Sequence, residues 1–280
     1  MGTAIHSLGE LHRLLTTVPA AAGLVALIAV GYQLANTGLG LIPFVGDILA
    51  TVVFVFALGA MYAVTNTAAG QARSSFDSAI ELLAARWLSL LAMTALLLVI
   101  FLVVGFVGAL MLVVGAIAGG PAGILFVALL GVVVFLPVAM VVQFFVPAIA
   151  IDHDGAIDAV GRAVEVVRRD PVSAAGFTLV RWTLEWGPLL LGTLAAGAIG
   201  RDGVRAIIDE FTAAADDPGA QPAPASELEL LGLVLAETGP IVLATMVLLV
   251  VLGGVIGQVL RVFYTTSFYR TTLDRSSATS

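Results

Sequence analysis

Two residue types are missing from this chain of 280 residues. It has no cysteine, which excludes disulfides, thiolate metal sites and cysteine nucleophiles. It also has no lysine, so arginine supplies all 12 basic side chains. Charged residues make up only 11% of the sequence, against roughly a quarter in a soluble domain. A chain that is 60% hydrophobic has too few polar side chains to cover a soluble protein of this length, and we therefore predict an integral membrane protein.

A surplus of positive charge is absent as well. Aspartate and glutamate number 19 against 12 arginines, which gives a formal net charge of −7. This balance argues against nucleic-acid binding, which requires basic patches. An acid excess is typical of halophilic proteins, whose surfaces stay soluble through self-repulsion. A GC-rich genome would also favour arginine, alanine and glycine, and both explanations stay open.

Six stretches are long and apolar enough to cross a bilayer, which takes about 20 residues. They are residues 19–37, 41–64, 88–118, 122–151, 172–200 and 240–264. In lipid the backbone must satisfy its own hydrogen bonds, so we predict an all-α fold, a six-helix transmembrane bundle that forms a single domain over residues 1–280. Gly119, Gly120 and Pro121 divide the third span from the fourth, and we expect Pro137 and Pro188 to kink their helices.

The arginines are distributed unevenly between the predicted spans. Nine fall on one side and only Arg201 and Arg205 on the other, while Arg181 lies inside the fifth span. The positive-inside rule then places both termini in the cytoplasm of a multi-pass cell-membrane protein. The opposite side carries an acidic loop, residues 201–238, with eight acids against two arginines. We interpret this loop as a solvated face, with attraction of cations or a basic partner as the alternative.

A charged amphipathic segment precedes each odd-numbered span. The three segments are SLGELHRLLTTVP, SSFDSAIELLAARW and DHDGAIDAVGRAVEVVRRDP. Each carries a helix-start signal, namely Ser7 with Glu10, Ser74 with Asp77, and Asp154. We predict three cytoplasmic interfacial amphipathic helices, each followed by a transmembrane hairpin. Their similarity fits either a threefold repeat or a shared constraint at the points where the chain enters the membrane.

The third of these segments has the clearest helical periodicity. Four apolar residues recur at helical spacing on one side, Ile157, Val160, Val164 and Val167. Four charged residues take the other side, Asp158, Arg162, Glu165 and Arg169. Such a stripe is typical of a helix that lies in the membrane interface.

Arg181 and Glu185 place opposite charges inside the predicted fifth span, four residues apart and therefore on one helix face. Thr178 continues the same polar stripe. A lone charge at mid-bilayer costs about 3 kcal/mol on insertion scales, so we expect the pair to neutralise each other and to face other helices or a wet cavity. The candidate intramembrane polar site is therefore Arg181, Glu185 and Thr178. It fits a substrate or proton pathway, a structural ion pair, or charges at the interface if the span begins only near Trp186.

Catalytic and metal-binding motifs are scarce. The string DHDG at residues 152–155 offers metal-like ligands, but Asp-x-Asp-Gly is also ordinary turn and cap chemistry. The other histidines are His6 and His12, near the N-terminus. We find no HExxH motif, P-loop or placed Ser-His-Asp set. We therefore predict no metal, no cofactor and no enzymatic activity.

Glycine and alanine at small-xxx-small spacing predict close approach of helices. The pairs are Gly115 with Gly119 and Gly253 with Gly257, together with the series Gly192, Ala196 and Gly200.

Two strings carry a family resemblance, FFVPAIAIDHDGAIDAVGRAVEVVRRDPVSAAGFTLV at residues 144–180 and RVFYTTSFYRTTL at residues 261–273. They resemble an uncharacterised family of haloarchaeal six-span membrane proteins and, more distantly, the membrane domain of some bacterial glycerophosphodiester phosphodiesterases. Relatives often place serine after the arginine of the amphipathic segment, where this chain has Ala163 after Arg162. The resemblance covers nearly the whole chain and implies a membrane location and a helical bundle. It supplies no catalytic residues, and we expect no attached phosphodiesterase domain.

Two functions fit these patterns. The first is a non-enzymatic membrane protein that acts as a scaffold or binds partners, and the alternative is a small transporter or permease that uses Arg181 and Glu185. A cavity that reaches Arg181 would favour transport, whereas a dry, filled bundle would favour a structural role. The expected partners are the lipid bilayer and either further copies of the chain or another membrane protein.

Overall fold

The computed structural model describes residues 2–40, 42, 45–71, 76–203, 205 and 227–277. Within these ranges every regular element is helical, which confirms the predicted all-helical chain. The helices are α1 Gly2–Thr17, α2 Pro19–Leu39, α3 Val45–Gln71, α4 Phe76–Val142, α5 Phe145–Ile151, α6 Ala156–Arg169, α7 Pro171–Ile199 and α8 Glu227–Ser277.

Five helical stretches in the described part of the chain are long and apolar enough to cross a membrane. They are Pro19–Leu39, Val45–Gly70, Phe76–Ile117, Ala122–Ile151 and Ala236–Thr272. The predicted fifth span, residues 172–200, corresponds to α7, a helix of 29 residues that is not among these five. The charges of Arg181 and Glu185 lower its mean hydropathy. Five such helices suggest a membrane protein.

The third and fourth predicted spans form a hairpin within α4. The backbone leaves the helical region at Gly120, where φ is 55° and ψ is −141°, a region that glycine occupies without strain. A Cβ atom added to Gly115 would lie 2.8 Å from the carbonyl oxygen of Gly123, so the two arms approach at the backbone. The predicted division between these spans is confirmed, but a Cβ atom added to Gly119 would meet only open space, so Gly119 does not take part in the close approach.

The structure also contains a helix break that the sequence analysis missed. The predicted fourth span is interrupted at Gln143 and Phe144, between α4 and α5. Pro147 lies four residues after Gln143; its ring removes one helical hydrogen-bond donor and clashes with the carbonyl group of residue 143. The helix continues past Pro137 to Val142, so Pro147 and not Pro137 sets the position of the break.

The chain forms two compact units. The first comprises residues 1–182 and 259–280, and the second comprises residues 183–258. Most of the predicted acidic loop, residues 201–238, lies outside the described residues, and so do Ser74 of the second helix-start signal and Arg73. The single domain over residues 1–280 stays a prediction.

The core of the first unit is aromatic. Phe177 on α7 stacks on Phe268 and Tyr264 of α8, at centroid distances of 4.3 and 5.0 Å, and on Phe144 at 5.2 Å. All nine residues from Arg261 to Tyr269 are buried, so this stretch of α8 is enclosed on every side. The two strings that carry the family resemblance therefore supply the centre of the core.

Two of the three predicted amphipathic segments form separate helices, α1 and α6, and the other is the start of α4, which leaves helical geometry at Arg86. α6 packs against α4 and α5 through its small residues Ala159 and Ala163. Ile157 of the predicted stripe is 87% exposed, so that stripe is not the face that packs against the protein.

Two of the predicted helix starts are wrong. Ser7 lies inside α1, which begins at Gly2, and the carboxylate of Glu10 pairs with Arg13 at 2.7 Å. The N-cap of α6 is Gly155, which makes no side-chain cap hydrogen bond. Asp154 lies within 3.6 Å of the Arg162 guanidinium, so this carboxylate contributes an ion pair in place of a cap.

The second unit contains an antiparallel pair of helix segments, residues 183–199 of α7 and 227–258 of α8. A Cβ atom added to Gly253 would lie 2.5 Å from the carbonyl oxygen of Pro188, and one added to Gly192 would lie 2.5 Å from that of Leu249. Gly257 would meet the carbonyl oxygen of Glu185 in the same way. The close approach predicted for Gly192, Gly253 and Gly257 is confirmed.

Candidate functional site

A buried chain of hydrogen bonds connects Arg181 to Thr178. Nη1 of Arg181 donates to Oε1 of Gln143 at 2.9 Å, and Nε2 of Gln143 donates to Oγ1 of Thr178 at 2.7 Å. The Thr178 hydroxyl in turn donates to the carbonyl oxygen of Ala174, at 2.8 Å. Arg181 is only 9% exposed and Thr178 is fully buried. Two of the three predicted site residues therefore meet through a residue that was not predicted.

The helix break explains why Gln143 occupies this position. Its Nε2 also donates to the carbonyl oxygen of Met140, 3.1 Å away, in the last turn of α4. The side-chain amide thus uses both donor hydrogens and accepts from the guanidinium. A signal for this role was present in the sequence, because Gln143 is the one side chain able to donate hydrogen bonds between residues 122 and 151.

Arg181 also lines a cavity of about 270 Å³ in the first unit. One face of α3 forms a wall, since Thr51, Val55, Leu58 and Tyr62 recur at helical spacing. The rest of the lining comes from α4, α5, α7 and α8, and includes Phe101, Gln143, Trp182 and Arg261. Within the described lining, two residues carry positive charge and none carries negative charge. The bundle is therefore not filled at Arg181.

Arg261 was assigned by the sequence analysis to the cytoplasmic side, at the end of the last span. In the structure this side chain is only 8% exposed, and its guanidinium carbon lies 5.4 Å from the ring centroid of Phe54. An aromatic face attracts a guanidinium electrostatically, and the attraction is larger when the group is shielded from water. Two buried arginines thus line the same cavity, whereas the sequence predicted a single buried arginine, Arg181.

Glu185, the third predicted site residue, is half-buried and lies one helical turn after Arg181 on α7. The neutralising pair of Arg181 with Glu185 stays a prediction from their spacing.

The DHDG string is built into a different cluster. Asp152 accepts a hydrogen bond of 2.6 Å from the Tyr269 hydroxyl and lies 3.6 Å from Nε of Arg162. Burial lowers the pKa of Arg162, but the attraction of Asp152 and then of Asp154 outweighs it and raises the pKa above the ordinary arginine value. Both carboxylates thus pair with Arg162 of α6, and Asp152 also connects it to Tyr269 of α8.

His153 lies between these aspartates with a φ of 58°, in the left-handed region. Among the described residues, no three His, Asp or Glu side chains are grouped so as to hold a metal ion. A second cavity, of about 410 Å³, is lined by His153 together with polar residues that include Asn66, Glu81 and Arg86.

No curated protein and no solved structure matches this chain. Residues 2–272 match the sequence profile of a domain of unknown function, DUF7847, so the resemblance to an uncharacterised family is confirmed, and the chain belongs to that family.

Proposed function

We propose that this chain is a six-span membrane protein with cytoplasmic termini that works as a small permease for an organic anion. The observation that carries the proposal is the cavity of about 270 Å³ with two buried guanidinium groups, Arg181 and Arg261, in its lining. Buried membrane charges often mark solute pathways.

The exposure pattern of α7 supports its assignment as a span. Its polar residues Thr178 and Arg181 are turned inward, while Leu179, Leu191 and Leu194 are each more than 60% exposed. An apolar outer face suits lipid, and a polar inner face suits a helix that lines a cavity. With the five apolar helices, α7 makes six spans, the even number that places both termini on one side.

The charge of the cavity supports an anion as the solute. Guanidinium groups form bidentate hydrogen bonds with carboxylates, phosphates and sulfonates, and these bonds are stronger when water is excluded. The described lining carries two guanidinium groups and no carboxylate, and an anion can bind there whether or not each arginine also has a partner in the protein.

The alternative that the sequence favoured, a scaffold or partner-binding protein without a solute, stays a competing proposal. It requires the arginines only for packing. The two functions differ in one measurable property, because a permease moves a solute across the bilayer and a scaffold does not.

A flux assay in reconstituted vesicles tests the proposal. The probes are radiolabelled alkyl sulfonates, from methanesulfonate to dodecanesulfonate, which stay charged and so do not cross a bare bilayer by protonation. We expect at least one sulfonate to enter roughly ten times faster than into protein-free vesicles, and R181Q or R261Q to lower that rate by about tenfold, a change of about 1.4 kcal/mol. The control R201Q removes an exposed arginine that pairs with Asp202, and it should leave the rate unchanged. Flux no faster than in empty vesicles for every probe would favour the scaffold.

A further inference from the structure

Phe101 lines the cavity and is itself 57% exposed, so we place the opening of the cavity at this residue. The surface around this point is apolar. Val99, Leu102 and Phe106 on the same arm of the α4 hairpin are also more than half exposed. In the proposed bilayer arrangement this arm is the third span, so the opening faces lipid tails and not water.

The polar residues of the lining are buried, since Arg181, Arg261 and Gln143 are each less than 10% exposed. The rest of the described lining is mostly aliphatic or aromatic, with Val55, Leu58, Leu97, Val142, Val146 and Phe54. The cavity thus combines buried positive charge with apolar walls.

We infer that the cavity takes an anionic amphiphile, with one apolar chain and a sulfonate-, phosphate- or carboxylate-like head, which enters sideways from the bilayer. This inference rests on the proposed function and specifies its substrate class. The head contacts the guanidiniums of Arg181 and Arg261, and the chain lies along the apolar walls towards Phe101. Burial of the chain adds to affinity in proportion to its apolar area. A small hydrophilic anion gains nothing from these walls and would have to cross hydrocarbon to reach the opening.

Trp182 lines the cavity and provides a direct probe of its occupant. The chain has three tryptophans, and the other two, Trp87 and Trp186, are half exposed. The double variant W87F/W186F leaves Trp182 as the single indole. This protein, in nanodiscs of zwitterionic phosphatidylcholine, is titrated with three brominated quenchers. Brominated dodecanesulfonate has both chain and charge, brominated methanesulfonate has the charge alone, and brominated dodecanol has the chain alone.

We expect saturable quenching by brominated dodecanesulfonate, reversed by the unbrominated compound. R181Q and R261Q should each raise its half-saturating concentration at least tenfold, while R201Q should not change it. Brominated methanesulfonate should need at least a hundredfold higher concentration, and quenching by brominated dodecanol should be insensitive to both arginine substitutions.

Each contrary result has a distinct meaning. Equal half-saturation by brominated methanesulfonate would overturn the amphiphile and leave an anion permease standing. Arginine-sensitive binding of brominated dodecanol with the same half-saturation as the sulfonate would show that head-group charge is not recognised. Absence of saturable quenching by all three would overturn both the amphiphile and the permease. If W87F/W186F does not fold, competition by unlabelled dodecanesulfonate and methanesulfonate against labelled dodecanesulfonate flux in the native chain decides the same question.

Discussion

Each of the two compact units is stabilised internally, and the kind of contact differs between them. In the first, large side chains fill the interior, with Phe177 between Phe144, Tyr264 and Phe268 and with Gln143 bonded to Arg181. In the second, the helix pair packs by backbone approach, where Gly192 and Gly253 leave no room for a Cβ atom. The first unit is stabilised by contacts between large side chains. The second is stabilised by close backbone contact at glycines, which have no side chain.

In the proposed bilayer, the difference follows from the groups that each unit has to bury. Lipid tails are as apolar as leucine, so burying leucine between two spans gains little, and close van der Waals contact through small residues becomes the main source of association. The first unit has polar groups to satisfy, including Arg181 and Arg261, and therefore needs side chains that reach and shield them. In the proposed bilayer, glycine contacts indicate helices that associate by van der Waals packing alone. Aromatic and amide contacts indicate the unit that buries charged side chains.

The largest expected effect comes from removing the centre of the first unit. F177A deletes a fully buried ring and should lower the free energy of unfolding by about 3–5 kcal/mol, because the cavity it leaves cannot be refilled. Unfolding by sodium dodecyl sulfate in mixed micelles measures this change. The matched control L102A removes a side chain that is 72% exposed and should cost less than about 0.5 kcal/mol. Equal costs would mean that the aromatic cluster is not the core.

A smaller loss is expected from the polar part of the same unit. Q143L keeps the approximate volume but removes the acceptor for Arg181 and the donor to Thr178, and should cost about 2–3 kcal/mol. The same substitution at the half-buried Gln33 of α2 is the control and should be close to neutral. Unfolding in mixed micelles again gives the values. A neutral Q143L would indicate that the amide does not hold the guanidinium.

The second unit is tested by two identical substitutions with opposite expected signs. G253A places a methyl group against the backbone of Pro188 and Leu189 and should cost about 1–3 kcal/mol, since a backbone cannot move aside cheaply. G197A, on α7 in the same unit, meets open space and should gain up to about 1 kcal/mol from helix propensity. Apparent melting temperatures in detergent would show the two shifts. If both variants shift in the same direction, backbone approach does not explain this helix pair.

The smallest effect sharpens the role of the DHDG string. Y269F removes the hydroxyl that donates to Asp152 and should cost about 1–1.5 kcal/mol, because the carboxylate keeps Arg162 as a neighbour and some access to water. Thermal unfolding of Y269F beside the native protein measures this cost. A loss as large as that of F177A would place the hydroxyl, and not the ring, at the centre of the core.

The elements that could be predicted are those with local causes. Apolar length gave the long helices, and Gly120 marked the turn of the α4 hairpin because few other residues adopt its backbone angles. Small-residue spacing identified Gly253 and Gly257. Each of these depends on a few neighbouring residues and on no partner elsewhere in the chain.

The elements that were missed depend on distant partners. Arg261 follows an apolar stretch and resembles a cytoplasmic arginine in the sequence, whereas in the structure it lies beside Phe54, far away in sequence. Asp154 has the spacing of a helix cap but pairs with Arg162. The link between Arg181 and Thr178 needed Gln143 from another helix. Charge and periodicity identify which side chains are costly to bury, but tertiary structure selects their partners.

Pro147 has no polar side-chain group, yet it influences the position of the Gln143 amide, which accepts a hydrogen bond from Arg181. By breaking the helix at residue 143 it leaves Gln143 to bond Met140 with one amide hydrogen and Thr178 with the other. Because the ring determines where the helix breaks, the position of this amide depends on covalent stiffness. Covalent stiffness is not screened by dissolved ions, whereas the attraction within an exposed ion pair is.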